Sequence, residues 1–290
     1  MTAVSGVFPA PAKLNLFLHV VGRRPDGYHL LQTAFRFIDY GDELSIAVRA
    51  DGDIRRTTPL EGVPAELDLT VRAARALQRE TGCSQGADIG IVKRLPMGGG
   101  LGGGSSDAAT TLIALNRLWR TRLSRDRLQQ LALGLGADVP VFVFGRNAFA
   151  EGVGERLQAL LLPPAWYLVL VPELAVSTAE IFSAAELTRN TNAITIAAFS
   201  AGQGLNESVH AFTGRNDLEP VVVRRYPQVA RNLEWLRRYG DARMTGSGAC
   251  VFCAFGSEEQ ARRALQELPA DMRGFVARGL ERHPLWSEDD

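Results

Sequence analysis

The 290-residue sequence has little cysteine, no net charge and no long apolar run. Its three cysteines, Cys83, Cys250 and Cys253, are too few, and odd in number, for a disulfide framework. Basic and acidic residues are equal at 32 each, so charge does not favour nucleic acid or an anionic membrane as a partner. The apolar runs fall far short of the ~18 residues that span a bilayer. We therefore expect no nucleic-acid partner and no membrane partner.

The first residues also lack the basic segment and apolar core of a signal peptide, which predicts a cytoplasmic location. Cys250 and Cys253 have the CxxC spacing of some zinc and redox sites. Their apolar neighbours predict a strand, however, and residues three apart on a strand face opposite sides. We expect two packed thiols.

Glycine, by contrast, is concentrated in one place. Six glycines lie between Gly98 and Gly104, followed by Ser105, Ser106 and an apolar pattern of helical spacing. This predicts a loop of unshielded N–H groups that runs into a helix, with Ser105 or Ser106 as the N-cap. Such a loop binds phosphate at the positive end of the helix.

Two common phosphate motifs do not fit. Gly98, Gly100 and Gly103 match the dinucleotide fingerprint, but Pro96 interrupts the strand that should lead into it. A nicotinamide enzyme also needs an acidic residue ~20 positions later at a strand end, and Asp126 lies at a predicted helix start. No Gly-Lys-Ser/Thr closes a P-loop. A flexible linker would not run directly into a patterned helix.

Residues 12–21 alternate as a strand does. The two expected faces carry Leu14, Leu16, Leu18 and Val20 on one side and Lys13, Asn15, Phe17 and His19 on the other. At a sheet edge Lys13 would be a solvated lysine. Because the strand is otherwise apolar, a pocket lined by Lys13 and Asn15 agrees with the pattern at least as well. Turn residues 22–27 lead to Tyr28 and His29, which are either capping aromatic residues at a strand start or ligand contacts.

Asp138 is the only charge in residues 137–144. It is either an N-cap or a functional acid, and the pattern does not decide between strand and short helix after it. Elsewhere we expect strands over 30–39, 44–48 and 166–171. Helices are expected over 66–80, after a Ser124 cap, over 227–239 and after a Ser257 capping box, and the polar tail from His283 is expected to fray.

Four separated motifs resemble the GHMP small-molecule kinases, which act on galactose, homoserine, mevalonate and phosphomevalonate. They occur in the family's order at residues 11–16, 96–109, 136–140 and 245–250. Further features, at 23–29, 96–106 and 149–154, resemble family members that act on a cytidine-diphosphate-linked methylerythritol. The resemblance implies a mixed α/β (α+β) fold of two domains with the active site between them. Residues 1–162 would bind the nucleotide, and residues 163–290 would form a ferredoxin-like, substrate-side domain.

The resemblance also implies roles for individual residues. Asp138 would be the base that deprotonates the 2-hydroxyl of the methylerythritol, and Lys13 its partner at the transferred phosphoryl group. ATP phosphates would contact Pro96, Met97, Gly98, Gly99, Gly100, Leu101, Gly102, Gly103, Gly104, Ser105 and Ser106. The substrate would contact Asn15, Tyr28, His29, Thr178 and Phe182, with Ala179 standing where the family motif has proline.

ATP chemistry implies Mg²⁺, for which Ser106 and Glu151 are the only nearby candidate ligands. We expect a small-molecule substrate and a monomer or weak homodimer. Three alternatives remain: another kinase of the family, of the mevalonate or homoserine type; a nicotinamide-dependent oxidoreductase; and a non-catalytic nucleotide-binding regulator.

Overall fold

The computed structural model describes residues 5–204 and 214–287, which form ten strands, nine α-helices and one short 3₁₀ helix at Ala65–Leu67. The strands are β1 Ser5–Arg23, β2 His29–Arg49, β3 Ile54–Arg56, β4 Gly86–Val92, β5 Ala148–Gly152, β6 Arg156–Ala159, β7 Trp166–Leu170, β8 Arg243–Met244, β9 Val251–Phe255 and β10 Gly274–Leu280. The helices are α1 Leu69–Thr81, α2 Gly103–Leu118, α3 Arg125–Leu133, α4 Val139–Phe144, α5 Thr178–Ser183, α6 Ile196–Gly204, α7 Glu219–Arg225, α8 Pro227–Leu236 and α9 Glu258–Gln266.

A single sheet runs through the described part of the chain. Strand β2 pairs with β1 along one edge and with β5, β10 and β4 along the other. Strand β10 then pairs with β7, and β9 and β8 follow. Every ladder between these strands is antiparallel except β3–β4. The expected mixed α/β (α+β) class is confirmed.

Three clusters of buried apolar residues pack the helices and strands together. The first packs α1 to α4 on β2 and β4, and the second packs α7 to α9 on β7 and β9. The third lies where β1 meets β7 and β9, and contains Leu14, Val169 and Cys250. Cys253 belongs to the second cluster, so the two thiols lie on opposite faces of the chain as expected. The domain boundary at 162/163 stays a prediction, because β10 pairs with strands from both sides of it.

Local capping sets most of the predicted helix ends. Ser124 Oγ accepts from the Arg127 N–H, and Gly82 ends α1 at φ 65°. The helix predicted from residue 66 instead begins at Leu69. Its N-cap is Asp68, whose carboxylate accepts from the Thr70 N–H at 2.7 Å and so satisfies the first turn there.

Strand β2 is continuous, whereas two strands over 30–39 and 44–48 were expected. The polar stretch between them stays in the sheet because the buried Asp42 carboxylate has its own partners. Its Oδ1 accepts from the N–H groups of Arg94 and Leu95 at 2.6 and 2.8 Å. A satisfied carboxylate does not force the chain out to solvent.

A β-bulge in β1 changes which side chains face the cleft. Asn15 pairs with Phe35 but Leu18 pairs with Thr33, so the register shifts between Asn15 and Leu18. The extra residue turns Leu18 to the side of Lys13 and Asn15 and sends Phe17 into the third cluster. The expected alternation therefore holds up to residue 16 and is wrong beyond it.

The expected frayed tail is also wrong over residues 283–287. His283 is buried, and Arg117 Nη2 donates to the Leu285 carbonyl at 2.6 Å. The guanidinium groups of Arg125 and Arg282 lie over the Trp286 ring. These contacts dock the segment on α2 and α3. Residues 288–290 lie outside the described residues.

Candidate active site

A cleft of about 540 Å³ lies between the glycine-rich loop, strand β1 and helix α5. Its size is that of an ordinary small-molecule site. Strand β1 contributes Lys13 and Asn15 to its floor, and the start of α4 contributes Asp138. The turn at Gly246 and Ser247 closes the side nearest α5.

The glycine-rich loop turns its carbonyl groups into the protein. The Gly99 carbonyl accepts from the Cys250 N–H at 3.1 Å, and the Leu101 carbonyl accepts from the Lys13 N–H at 3.0 Å. The Gly100 carbonyl accepts from Lys13 Nζ at 2.9 Å. Within the described residues, no N–H from Gly98 to Ser105 donates to a protein group. The loop thus presents a row of free donors, as an anion site requires.

Helix α2 begins at Gly103, and its N-cap is Gly102 in the left-handed conformation at φ 74°. The expected N-cap at Ser105 or Ser106 is therefore wrong; both serines lie within the first turn. Glycine adopts this φ without a steric penalty, so the helix starts before the serines. No side chain caps the helix, which leaves its first N–H groups for a ligand.

Gly100 permits close packing between the loop and the turn before β9. A Cβ on Gly100 would lie 2.1 Å from the Thr245 carbonyl oxygen. Thr245 Oγ1 lies 3.2 Å from the Gly100 carbonyl oxygen and accepts from the Asn15 N–H at 3.0 Å. The turn before β9, through Thr245, therefore supports both the glycine-rich loop and the strand that carries Lys13.

Lys13 is buried and held on three sides. Its Nζ donates to Asn15 Oδ1 at 2.5 Å and to the Gly100 carbonyl at 2.9 Å, and lies 3.4 Å from Asp138 Oδ2. The side chain is 2% exposed, whereas that of Asp138 is 40% exposed. The ammonium is therefore fixed while the carboxylate remains open to the cleft.

Asp138 immediately precedes α4 but makes no side-chain cap hydrogen bond. Residues 139–144 are helical, which decides the question that the pattern left open. The N-cap interpretation fails because the carboxylate does not bond the helix N–H groups. Its contact is with Lys13, about 125 positions earlier in the chain.

A buried charge cluster under the loop was not predicted. Lys93 Nζ donates to Asp42 Oδ2, and to Asp107 Oδ2 at 2.9 Å. Asp107 Oδ1 is buried with no partner in the described residues. Burial raises the pKa of Asp107 to about 7, although Lys93 opposes the shift. Burial also disfavours the Lys93 ammonium, but Asp107 and Asp42 outweigh it and raise the pKa of Lys93.

The expected substrate residues fall into two groups. Thr178 and Phe182, both on α5, line the cleft, and Thr178 Oγ1 lies 2.7 Å from Ser247 Oγ. Tyr28 is 64% exposed, and neither it nor His29 lines the cleft. The His29 and Phe182 rings nevertheless lie 5.0 Å apart at 34°. Phe182 is therefore in contact with the start of β2, beside the cleft that it lines.

Arg189, which no sequence pattern indicated, contacts His29. Its Nε donates to His29 Nε2 at 3.1 Å. Burial, then the charges of Arg189 and Arg23, lower the pKa of His29. The Ser177 hydroxyl accepts from the Glu180 N–H and caps α5, so the helix is capped although Ala179 replaces proline.

Neither Mg²⁺ candidate lines the cleft. Glu151 accepts a hydrogen bond from Gln32 Nε2 at 2.8 Å, and Ser106 Oγ is buried. The described residues contain no group of three or more His, Cys, Asp or Glu that could hold a metal.

Burial raises the pKa of Cys250 and of Cys253 to about 12. Over the same part of the chain no helix is both long and apolar enough to cross a membrane.

Family models match two parts of the chain. The GHMP kinases N terminal domain matches residues 68–146, and the GHMP kinases C terminal domain matches residues 196–274. A 4-diphosphocytidyl-2-C-methyl-D-erythritol kinase of Thiobacillus denitrificans is 63% identical over 98% of both chains. The protein of the same name from Nitrosospira multiformis is 62% identical over 96% of this chain and 92% of its own.

Solved structures agree with this result. A crystal structure of 4-(cytidine 5'-diphospho)-2C-methyl-D-erythritol kinase has a TM-score of 0.82 at 34% identity and covers 94% of this chain and 99% of its own. Homoserine kinase from Cytophaga hutchinsonii shares the fold, with a TM-score of 0.70 at 16% identity over 98% and 96% of the two chains. These matches do not support a nicotinamide-dependent oxidoreductase. The chain belongs to the GHMP kinase family, among relatives named 4-diphosphocytidyl-2-C-methyl-D-erythritol kinase.

Proposed function

We propose that this protein transfers the γ-phosphoryl group of ATP to the 2-hydroxyl of 4-(cytidine 5'-diphospho)-2-C-methyl-D-erythritol, a step in non-mevalonate isoprenoid synthesis. The observation that carries the proposal is the 3.4 Å pair of Lys13 Nζ and Asp138 Oδ2 in a cleft walled by free amides. Its relatives at about 60% identity bear the name of this kinase. Phosphoryl transfer needs mainly positioning and charge stabilisation, which this arrangement offers.

The nucleotide phosphates bind along the loop from Gly98 to Ser105. Its carbonyls are held by the protein and its N–H groups are free, so anionic oxygens find donors without rearrangement. The uncapped start of α2 adds its positive end. Pro96 and Met97 also line the cleft and complete the wall.

Asp138 takes the proton of the attacking hydroxyl on its carboxylate as the new O–P bond forms and the bond to ADP breaks. Because it is 40% exposed, it can pass that proton to water after transfer. Lys13 stabilises the developing negative charge on the attacking oxygen. Asn15 orients Lys13, since its Oδ1 accepts from Nζ and its Nδ2 donates to Thr33 Oγ1 at 2.9 Å.

Mg²⁺ fits this cleft as a companion of ATP rather than as a resident ion. Proteins commonly give Mg²⁺ one or two oxygen ligands and leave the rest to phosphates and water. Among the cleft-lining residues, Asp138 and Ser105 would hold it through a carboxylate and a hydroxyl oxygen. When bound, the ion neutralises phosphate charge.

The cytidine end of the substrate binds between Tyr28 and Phe182, with His29 at the base edge. Stacking on an aromatic side chain contributes ~1–3 kcal/mol per base, so two rings give substantial selectivity. Thr178 is hydrogen-bonded to Ser247, and its hydroxyl contacts the phosphates or the methylerythritol of the substrate. The monomer or weak homodimer and the cytoplasmic location stay predictions.

The test offers ATP with cytidylyl-methylerythritol, mevalonate or homoserine and measures ADP. We expect turnover with the cytidylyl acceptor alone. Turnover only with mevalonate or homoserine would favour another kinase of the family. Tyr28→Ala and Phe182→Ala should each raise the KM of the cytidylyl substrate but not that of ATP; unchanged values would contradict the cytidine site.

A further inference from the structure

The β-bulge in β1 supplies a hydrogen-bond acceptor beneath the floor of the cleft. Leu16 and Phe17 have no partner in the register of β1 with β2. The Phe17 carbonyl accepts from the hydroxyl of Thr33, a buried residue of β2 that lines the cleft. A carbonyl has no proton to give, so the Thr33 hydroxyl must be the donor in this bond. The single hydroxyl proton of Thr33 is therefore committed to the bulge.

This committed proton determines the orientation of the Asn15 side-chain amide. Thr33 Oγ1 lies 2.9 Å from Asn15 Nδ2, and with its proton engaged it can only accept there. The group that faces Thr33 must therefore be the NH₂ of Asn15, and the amide oxygen must face the other way. On that side Lys13 Nζ lies 2.5 Å from Asn15 Oδ1, and an ammonium can only donate. The two ends of the amide thus require the same orientation.

The amide oxygen matters because Lys13 depends on it. In the described part of the chain, the acceptors around the ammonium are Asn15 Oδ1, the Gly100 carbonyl at 2.9 Å and the Asp138 carboxylate at 3.4 Å. Lys13 is 2% exposed, so water does not readily replace an acceptor that is lost. Without Asn15 Oδ1 the ammonium would be drawn toward the carboxylate, and its position at the reacting group would change.

We propose that Thr33 is a positioning residue for the phosphoryl transfer. Its hydroxyl, held by the bulge carbonyl of Phe17, orients the Asn15 amide so that the amide oxygen fixes Lys13 Nζ. A flipped amide would point its N–H groups at the ammonium and leave buried donors unpaired, which is costly. The effect on turnover rests on the proposed function, whereas the orientation of the amide does not.

The orientation is tested on the full-length protein without substrate. In ¹H–¹⁵N spectra of asparagine-labelled protein, Asn15→Ala identifies the side-chain amide signal of Asn15. We expect that signal to exchange slowly with solvent in the wild type and in Thr33→Ser, and to shift in Thr33→Val, which removes the hydroxyl acceptor. Thr33→Ala removes the same acceptor and replaces the valine variant if that does not fold. An Asn15 signal that is unchanged when the hydroxyl is removed would overturn the proposal.

The effect on turnover is tested by steady-state kinetics. Thr33→Val should lower kcat by about tenfold, the value of one hydrogen bond. The KM of ATP should stay within about twofold, because the loop amides that face the phosphates are unchanged. Thr33→Ser keeps the hydroxyl and should stay within about twofold of the wild-type kcat. A fall in kcat that is equal in the serine and valine variants, or that comes with a matching rise in the KM of ATP, would indicate a loosened cleft and overturn the proposal.

Two controls separate positioning from support of the bulge. In the Asn15→Ala background, Thr33→Val should cost little, because the amide that Thr33 orients is absent; an undiminished loss would overturn the proposal. Thr111→Val removes a buried hydroxyl that donates to the Asp107 carbonyl within α2, and it should leave both kcat and the Asn15 signal unchanged. A wild type that does not phosphorylate the cytidylyl substrate would overturn the proposed function, while the spectra would still decide the orientation of the amide.

Discussion

Lys13 and Asp138 meet at 3.4 Å with opposite exposures, the ammonium buried and the carboxylate open to the cleft. Lys13 is fixed by the Gly100 carbonyl and Asn15, so the position of the positive charge follows the glycine-rich loop. A substrate hydroxyl that approaches Asp138 therefore approaches the ammonium and the loop amides together. This geometry places Asp138, the proposed proton acceptor, and Lys13, the proposed charge stabiliser, on one side of such a hydroxyl.

Replacing the carboxylate tests its role as base. Asp138→Asn keeps the shape but accepts a proton poorly, so we expect kcat to fall by about 10²–10⁴-fold with little change in the KM of ATP. Steady-state ADP release measures both. Asp126→Asn, on the exposed start of α3, is the matched control and should retain wild-type turnover. A variant at Asp138 with near-normal kcat would contradict the assignment.

Substituting Gly102 tests the loop geometry. The residue has φ 74°, and an added Cβ would lie 2.9 Å from the Phe142 ring and 3.1 Å from Lys13 Cε. Gly102→Ala should therefore displace the loop and Lys13 together, raising the KM of ATP and lowering kcat. Gly134→Ala, at negative φ with a nearest contact of 3.4 Å, should change neither. Equal kinetics for the two variants would argue against the loop as the phosphate site.

The Asp107 carboxyl predicts a pH dependence of stability. Its pKa of about 7 lies above the ordinary value of 3.8, so the folded state binds this proton more tightly than the unfolded state. Its contribution to the free energy of unfolding is therefore complete below about pH 4 and is lost as the pH rises through about 7.

Urea unfolding between about pH 5 and pH 7.5 measures this loss. Asp107→Asn removes the titration, so its unfolding free energy should fall less over that range than that of the wild type. Asp88→Asn, which removes a surface partner of Arg49, should follow the wild-type slope. Parallel curves for the wild type and Asp107→Asn would show that this carboxyl does not titrate there.

Thiol reactivity should distinguish the three cysteines. Cys250 and Cys253 are buried, and their raised pKa values of about 12 leave almost no thiolate at neutral pH. Cys83 is partly exposed. A colourimetric disulfide reagent should therefore modify one thiol per native chain, and Cys83→Ser should abolish that reaction. Rapid modification of two or more thiols in the folded protein would contradict the burial of the pair.

Local patterns predicted the parts of the site that depend on near neighbours. Residue type alone predicted the glycine-rich loop and its helix, whereas the pairing of Lys13 with Asp138 was implied only by the family resemblance. The bulge that turns Leu18 into the cleft was not predictable, because it depends on the partner register of β2. The N-cap at Gly102 was missed because a left-handed glycine replaces the usual capping side chain.

The contacts that no pattern indicated join residues far apart in sequence. Asp42 lies on β2, Lys93 just after β4 and Asp107 on α2, and the sequence around each is typical of an ordinary surface charge. Arg189 and His29 are separated by 160 positions. Electrostatic and hydrogen-bond partners of this kind are set by tertiary packing, which a single sequence does not display.

The position of β10 between β2 and β7 affects how the protein folds during synthesis and how C-terminal truncations behave. It hydrogen-bonds β2 on one side and β7 on the other, yet it follows every other described strand in chain order. The buried residues of the first apolar cluster all precede residue 151 and can collapse early, but the shared ladder must wait for residues 274–280. A fragment that stops before Gly274 should thus keep its helices while the opposing walls of the cleft lose their common alignment.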